Sequence, residues 1–314
     1  MTNLSSATSQ PLWPLIEQTT RQALASGALQ PIATQTQMVA DGGISFVVRI
    51  VDSLVRKDQA QRDRGDRPQT KPDNPFLPYE EALWVTDLSS THVCLLNKFN
   101  VVDHHLLIIT RQYESQEDWL TVDDFVALAH CLREVDGLGF YNSGPMAGAS
   151  QHHKHLQLVP LSGGGADLPI NTAIQAHPEA IATHQLTPAL PFQHRVEPLD
   201  LPWTQATDHA LGTELFKTYR RIIGNLGLAL TTPRPAAPYN LLITRDWMIG
   251  IQRSQASYQG IHVNSLGYAG WLLVKTPEAL ARLQQITPLT VLTKVGLPLA
   301  PNSATEAAEK SVGN

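Results

Sequence analysis

The sequence predicts an α+β fold in which a mostly antiparallel sheet is flanked by helices. Two observations lead there. Strand and helix signals are interleaved, with hairpin spacings as well as longer crossovers, which a doubly wound parallel sheet does not give. The glycine fingerprints G-x-G-x-x-G and G-x-x-x-x-G-K-[ST] are missing, so the usual strand-to-helix routes to phosphate are closed. Composition agrees: at 42% hydrophobic and 16% charged over 314 residues, there is apolar side chain for a packed core throughout.

The elements follow in order. Residues 12–29 carry Leu15, Ile16, Ala23 and Leu24 near the helical period, with Gly27 close to the end, which predicts a helix. Residues 43–55 are rich in Val and Ile and predict a strand. Residues 58–79 hold Pro68, Pro72, Pro75 and Pro78 and read as a long loop, usually functional or mobile in a compact domain. The charged run from Arg56 to Arg67 alternates in sign and reads as solvated. Strands are expected at His92–Leu96 and Leu106–Thr110, a helix at Val122–Glu134 behind an N-cap Thr121, and short strands at 137–141 and 153–159. A loop starts at Gly163-Gly164-Gly165, and the pattern stays weak through the prolines that follow, as far as Pro202. A helix over 213–227, a hairpin of 239–244 with 248–252, a strand over 270–275 and a helix over 277–285 are expected next. Residues 302–314 read as a frayed polar tail. The division expected is an N-terminal part (1–165), a C-terminal part (166–300) and a tail (301–314), the first two forming one catalytic unit. No internal repeat is present.

A formal charge of −5 gives no general attraction to nucleic acid or to an acidic membrane, so an anionic ligand needs a local site. Cys94 and Cys131 are far apart in sequence with no C-x-x-C, which argues against a disulfide framework and a thiolate zinc site. The first residues lack a basic segment followed by an apolar one, and no apolar run approaches the roughly 20 residues that span a bilayer. The expectation is a cytoplasmic protein.

Chemistry concentrates at Ser150-Gln151-His152-His153-Lys154-His155-Leu156-Gln157-Leu158-Val159. On a strand, residues two apart share a face, so His153, His155 and Gln157 are expected to point into one space. Leu156 and Leu158 bury on the other face, with Lys154 reaching solvent and His152 opposite His155. Upstream, Ser143-Gly144-Pro145-Met146-Ala147-Gly148-Ala149-Ser150 is a loop whose glycines let backbone N–H groups approach a ligand, a nest suited to phosphate oxygens. Imidazole is a nucleophile when neutral and carrying a lone pair, provided its other nitrogen donates to an acceptor such as a backbone carbonyl. Gln157 offers NH₂ donors without acting as a base. Three readings stay open on these residues alone: ordinary polar residues on a half-exposed strand, histidine nucleophilic catalysis, or a metal site. The last needs further ligands from His104, His105, His184, His194 or His262, which form no motif.

His153-Lys154-His155-Leu156-Gln157-Leu158-Val159 resembles the histidine-triad motif in its transferase form, with Gln in place of the third His. More closely, the chain resembles the ATP adenylyltransferases, also called diadenosine tetraphosphate phosphorylases. The stretches that carry this are Asn74-Pro75-Phe76-Leu77-Pro78-Tyr79-Glu80, His92-Val93-Cys94-Leu95-Leu96-Asn97-Lys98-Phe99, His104-His105-Leu106-Leu107-Ile108, Gly148-Ala149-Ser150-Gln151, Pro238-Tyr239-Asn240-Leu241-Leu242 and Asn264-Ser265-Leu266-Gly267-Tyr268-Ala269-Gly270. The resemblance implies a histidine-triad-like fold and phosphorolysis of diadenosine tetraphosphate to ADP and ATP, and the reverse, through an adenylyl-histidine. It makes His155 the nucleophile and places Gln157 on the α-phosphate. It puts Asn142, Gly148, Ala149, Ser150 and Gln151 around phosphate and ribose. Asn97 and Lys98 fall near the nucleotide, and Lys57 near the polyphosphate. Asn264, Ser265, Leu266, Trp271 and Lys275 complete the site, Trp271 standing where the family usually has methionine. Read without the family, Lys98 and Lys275 are solvated charges or phosphate binders, and Asn264-Ser265 is a ligand group or a plain turn.

The partners expected are diadenosine tetraphosphate, ATP, ADP and phosphate, with no nucleic acid and no membrane. No tightly bound cofactor is implied, and Mg²⁺ enters only with the nucleotide, since no carboxylate cage is dedicated to it. The alternatives are sugar-1-phosphate nucleotidyl exchange, as in related uridylyltransferases, and a non-catalytic protein that binds dinucleoside polyphosphates.

Overall fold

The structure, a computed structural model, describes residues 11–51, 74–161, 168–178, 186–232 and 234–299. The first helix, α1 (Leu12–Ser26), buries Leu12, Ile16, Thr20 and Ala23, one stripe at helical spacing. It ends where Gly27 takes a left-handed φ of 74°. Next comes a hairpin of β1 (Thr34–Asp41) and β2 (Ile44–Val51), which turns through Gly42 and Gly43, both at positive φ. Strand β1 was not expected: it is an edge strand, largely exposed, so it carries no apolar alternation.

The large sheet has eight strands: β3 (Trp84–Asp87), β4 (His92–Leu96), β5 (Leu106–Thr110), β6 (Gly137–Asn142), β7 (His155–Pro160), β8 (His194–Pro198), β9 (Tyr239–Ile243) and β10 (Trp247–Gln252). Their spatial order is β3-β4-β5-β7-β6-β9-β10-β8, and every neighbouring pair is antiparallel. The β6–β9 seam joins the first half of the chain to the second, so one sheet runs through both. The strand β8 went unseen in the sequence because a five-residue segment among prolines carries too little periodicity to stand out.

The helices α2 (Val122–Glu134) and α4 (Asp208–Asn225) pack with α1 on one face of this sheet. A capping box between Thr121 and Asp124 starts α2, satisfying two orphan donors reciprocally. Gly212 of α4 rests on Val126, where a Cβ would lie 2.6 Å from backbone. Cys94 and Cys131 meet in this core as free thiols, and the hydrogen bond between them, with burial, pushes the Cys131 thiol up.

On the other face lie the short helices α3 (Asn171–Gln175) and α5 (Ser265–Tyr268), the strand β13 (Trp271–Val274), α6 (Pro277–Ile286) and α7 (Pro288–Val295). A minor ribbon, β11 (Ser257–Tyr258) with β12 (Ile261–His262), precedes α5. Strand β13 pairs in parallel with β2, so residues of the last third complete a small sheet begun near the N-terminus. The second core lies beneath it, and a separate apolar cluster forms around Phe76, Val93, Leu95, Leu107 and Ile109.

Candidate active site

Strand β7 begins at His155, two residues later than the alternation predicts: its pairing with β5 ends at Ile109 and His155, and its pairing with β6 already stops at Phe140 and Gln157. Beyond that rung a side chain replaces the ladder. Gln116 Nε2 donates to the carbonyls of Asn142 (2.8 Å) and His155 (3.2 Å), and its Oε1 accepts from His155 N (2.8 Å). The wedge splays the strands while leaving their backbone groups satisfied. Gln116 is buried and was not expected, since a lone Gln in a loop has no sequence signature.

His155 is aimed by its own strand. Its Nδ1 lies 2.8 Å from the carbonyl of His153, and a carbonyl only accepts, so Nδ1 carries the proton. Burial pushes its pKa down to about 4. The ring is therefore neutral at pH 7, with its lone pair on Nε2. The Phe76 ring stands edge-on to it, 5.3 Å between centroids.

His153 does not share the cavity as the spacing predicts. Asn74 Nδ2 meets its Nδ1 at 3.1 Å, while Thr110 Oγ1 (2.8 Å) and the carbonyl of Gln112 (3.1 Å) meet its Nε2. Its ring belongs to the wall, and its carbonyl is what serves His155. Gln157 does face the opening, as does His155. The Gln157 oxygen lies 3.0 Å from His105 Nε2, and His105 Nδ1 lies 3.2 Å from Asn97 Nδ2. The sequence offered His105 as a candidate metal ligand and within the stretch His104–Ile108 that resembles the family, with no partner for its ring.

Lys154 is another correction. It does not reach solvent: 1% of its side chain is exposed, and Nζ donates to Glu114 Oε2 (2.6 Å) and the Trp119 carbonyl (3.1 Å), with Asp124 Oδ2 at 3.6 Å. For Asp124, burial favours the neutral acid. The hydrogen bond from His92 and the charge of Lys154 outweigh it and hold the carboxyl below its ordinary value.

Two cavities adjoin at Ser150. One, about 410 Å³, is lined by Phe76, Tyr79, Asn97, Lys98, Gln151, His155 and Gln157 among others. The second, about 510 Å³, is lined by Gly148, Ala149, Asn264, Trp271 and Lys275. Gly148 has φ +93°, and a Cβ there would sit 2.6 Å from the Val263 carbonyl and 2.8 Å from Asn264 Cα. The loop thus approaches α5 as closely as a bare backbone allows. Asn264 caps that helix, its Oδ1 accepting from Leu266 N. Lys98 meets Glu80 at 2.6 Å in a partly exposed pair, a weakly held one.

Three expected contacts lie behind the wall instead. Asn142 Oδ1 accepts from Asn240 Nδ2, Ser265 N and Ser265 Oγ, each at 2.8 Å, and Leu266 packs in the second core. Behind them Arg253, 2% exposed, donates to the carbonyls of Ala147 (3.1 Å) and Val263 (3.0 Å) and to Asn240 Oδ1 (2.6 Å). It ties the glycine loop to the start of α5, a role with no signal in the sequence. Lys57, Gly163-Gly164-Gly165 and His184 lie outside the described residues.

Among the described residues no helix is long and apolar enough to cross a membrane, and no three His, Cys, Asp or Glu side chains converge as a metal site would require. Residues 2–176 match the Ap4A phosphorylase N-terminal domain and residues 188–298 the ATP adenylyltransferase C-terminal domain. Protein APA1 of Saccharomyces cerevisiae is 27% identical over 321 residues, covering 90% of this chain and 94% of its own. Diadenosine 5',5'''-P1,P4-tetraphosphate phosphorylase 2 of the same yeast is 29% identical over 261 residues, covering 76% and 79%. The crystal structure of yeast Ap4A phosphorylase Apa2 in complex with AMP superposes with a TM-score of 0.73 at 26% identity, covering 92% of this chain and 98% of that one. The same protein in complex with Ap4A gives 0.69 at 24%, with the same coverage, and bears on the fold alone. Fold and domain matches together define a nucleotide-processing transferase built on an antiparallel α+β sheet. The chain belongs to the Ap4A phosphorylase family.

Proposed function

We propose that this enzyme phosphorolyses diadenosine tetraphosphate to ADP and ATP, and runs the reverse, with the adenylyl group carried on His155. The observation that carries the mechanism is the protonation of the ring: Nδ1–H is held by the His153 carbonyl, which leaves the lone pair on Nε2 of a residue that lines the cavity. Nε2 attacks the α-phosphorus, the P–Nε2 bond forms, and the bridging P–O bond breaks with ATP as the leaving group. The adduct's ring becomes cationic, and the His153 carbonyl stabilises it through Nδ1–H. An oxygen of inorganic phosphate then attacks the same phosphorus, breaks the P–N bond and leaves as ADP.

Gln157 and the backbone of the 148–151 loop are positioned to donate to the non-bridging oxygens as charge develops. Lys98, Lys275 and Lys57 are assigned to the polyphosphate. Two cavities meeting at Ser150 suit a ligand with a nucleoside at each end, and Trp271 gives one of them an aromatic wall. Mg²⁺ belongs in this scheme only as a companion of the polyphosphate. Because Gln157 is no base, water is not activated and phosphate resolves the intermediate.

The test is diadenosine tetraphosphate with and without phosphate, followed by intact mass. Expected are ADP plus ATP only when phosphate is present, and an adenylyl adduct mapping to the His155 peptide. His155→Ala and His155→Asn should fold and lose activity by several orders of magnitude. AMP plus ATP released in phosphate-free buffer, or a labelled uridylyl adduct in place of an adenylyl one, would overturn the reading.

A further inference from the structure

A carboxamide is two-ended: its oxygen repels phosphate oxygens, its NH₂ binds them, and a half-turn about a soft torsion exchanges the two. Gln157 can stabilise charge on the reacting phosphorus only if something prevents that half-turn. We propose that Asn97 and His105 are positioning residues that lock the Gln157 carboxamide with its NH₂ group toward the reacting phosphate. The proposal rests on the reading that His155 carries the adenylyl group.

The polarity is set by a donor that cannot flip. The backbone N–H of Phe99 donates to Asn97 Oδ1 at 3.3 Å. Oδ1 is therefore committed, and Nδ2 is the end of Asn97 that faces His105. Nδ2 donates to His105 Nδ1 across 3.2 Å, which makes Nδ1 an acceptor. A neutral imidazole with an accepting Nδ1 has its one proton on Nε2, and Nε2–H donates to Gln157 Oε1 across 3.0 Å. With the oxygen held against the wall, the NH₂ end points into the cavity that His155 also lines.

His105 is 7% exposed, and burial pushes its pKa down to about 4, so a single proton defines the relay through the neutral range. The backbone fixes the distances: Asn97 N donates to the His105 carbonyl at 2.8 Å, and Leu107 of β5 pairs with Gln157 of β7. The order of donors thus runs from a peptide group to the reacting centre without an ambiguous joint.

Two measurements decide it. In ¹⁵N-histidine-labelled protein, the His105 resonances, assigned by their loss in His105→Phe, are expected to show the neutral Nε2-protonated tautomer at pH 7. An Nδ1-protonated or doubly protonated ring overturns the relay whatever the reaction proves to be. In a double-mutant cycle, His105→Phe is expected to lower kcat about 100-fold, as loss of one aimed donor does, with KM little changed. In the Gln157→Met background the same change should cost less than about threefold, because the two residues act as one. Losses that multiply overturn the proposal. A wild-type enzyme with no adduct on His155 would instead fault the underlying reading, and the tautomer would still test the relay.

Discussion

Around His155 the decisive contacts are single buried hydrogen bonds. Gln116 holds both backbone groups of His155 and the carbonyl of Asn142. Gln116→Leu fills the same space yet leaves these polar groups without partners, at about 1–3 kcal/mol for each one stranded. We expect a clear fall in Tm together with at least about a tenfold loss in kcat, since a small misplacement of the attacking atom is costly. Thermal melting and steady-state rates check this. A lower Tm with kcat intact would show that Gln116 supports the fold without aiming the ring. The same residues show what could be read in advance. A strand spacing of two with a glycine loop beside it pointed to His153, His155 and Gln157 together, of which the last two line the cavity. Gln116, His105 and Arg253 had no pattern to betray them, because each acts across a gap of many residues.

At the level of elements, the site is a glycine loop seated on the start of α5 beside a strand whose ladder has been opened. Gly148→Ala is the direct probe of that seat. The position has positive φ, and the new Cβ would meet backbone and not a flexible side-chain tip, so the loop must move or strain by about 1–3 kcal/mol. We expect KM for diadenosine tetraphosphate to rise by at least about tenfold with a modest loss of stability. Titration of ligand binding by calorimetry checks it, and unchanged affinity would mean that the loop does not shape the cavity. The elements themselves were legible where they bury an apolar face, as in β4, β5, α2 and the β9–β10 hairpin. They were missed where burial is one-sided or short: β1 at an exposed edge, β8 among prolines, α5 behind an Asn-Ser that also reads as a turn. Helix α4 starts five residues earlier than its apolar pattern, at the Thr207 cap.

For the whole molecule, buried histidines link stability to pH, and three of them are shifted furthest. His105, His155 and His194 are each pushed down to about 4 by burial, against about 6.5 for an unperturbed imidazole in the unfolded chain. The unfolded chain therefore binds more protons than the folded one between these values, and stability rises with pH there. Their contribution is complete above about pH 6.5 and is lost as the pH falls toward 4, at most about 1.4 kcal/mol per pH unit for each. Urea melts at pH 7, 6 and 5 should show ΔG of unfolding falling already above the carboxylate range. His194→Asn should flatten that slope without touching the cavity, because its ring nitrogens are used by the Phe192 carbonyl and Thr187 N. A slope unchanged by that substitution would show that His194 is not one of the linked groups.

The sequence by itself determined the class of fold, the histidine strand with its glutamine and glycine loop, and through several separate stretches the family. These are local properties: periodicity, small-residue runs and motif order are written along the chain. Tertiary structure decided which nitrogen of His155 carries the proton, that Lys154 is buried in an ion network, that Asn142 and Ser265 brace the wall, and which end of Gln157 meets His105. Each of these depends on a partner brought from a distant segment, and tautomers, burial and amide polarity have no meaning until that partner is in place.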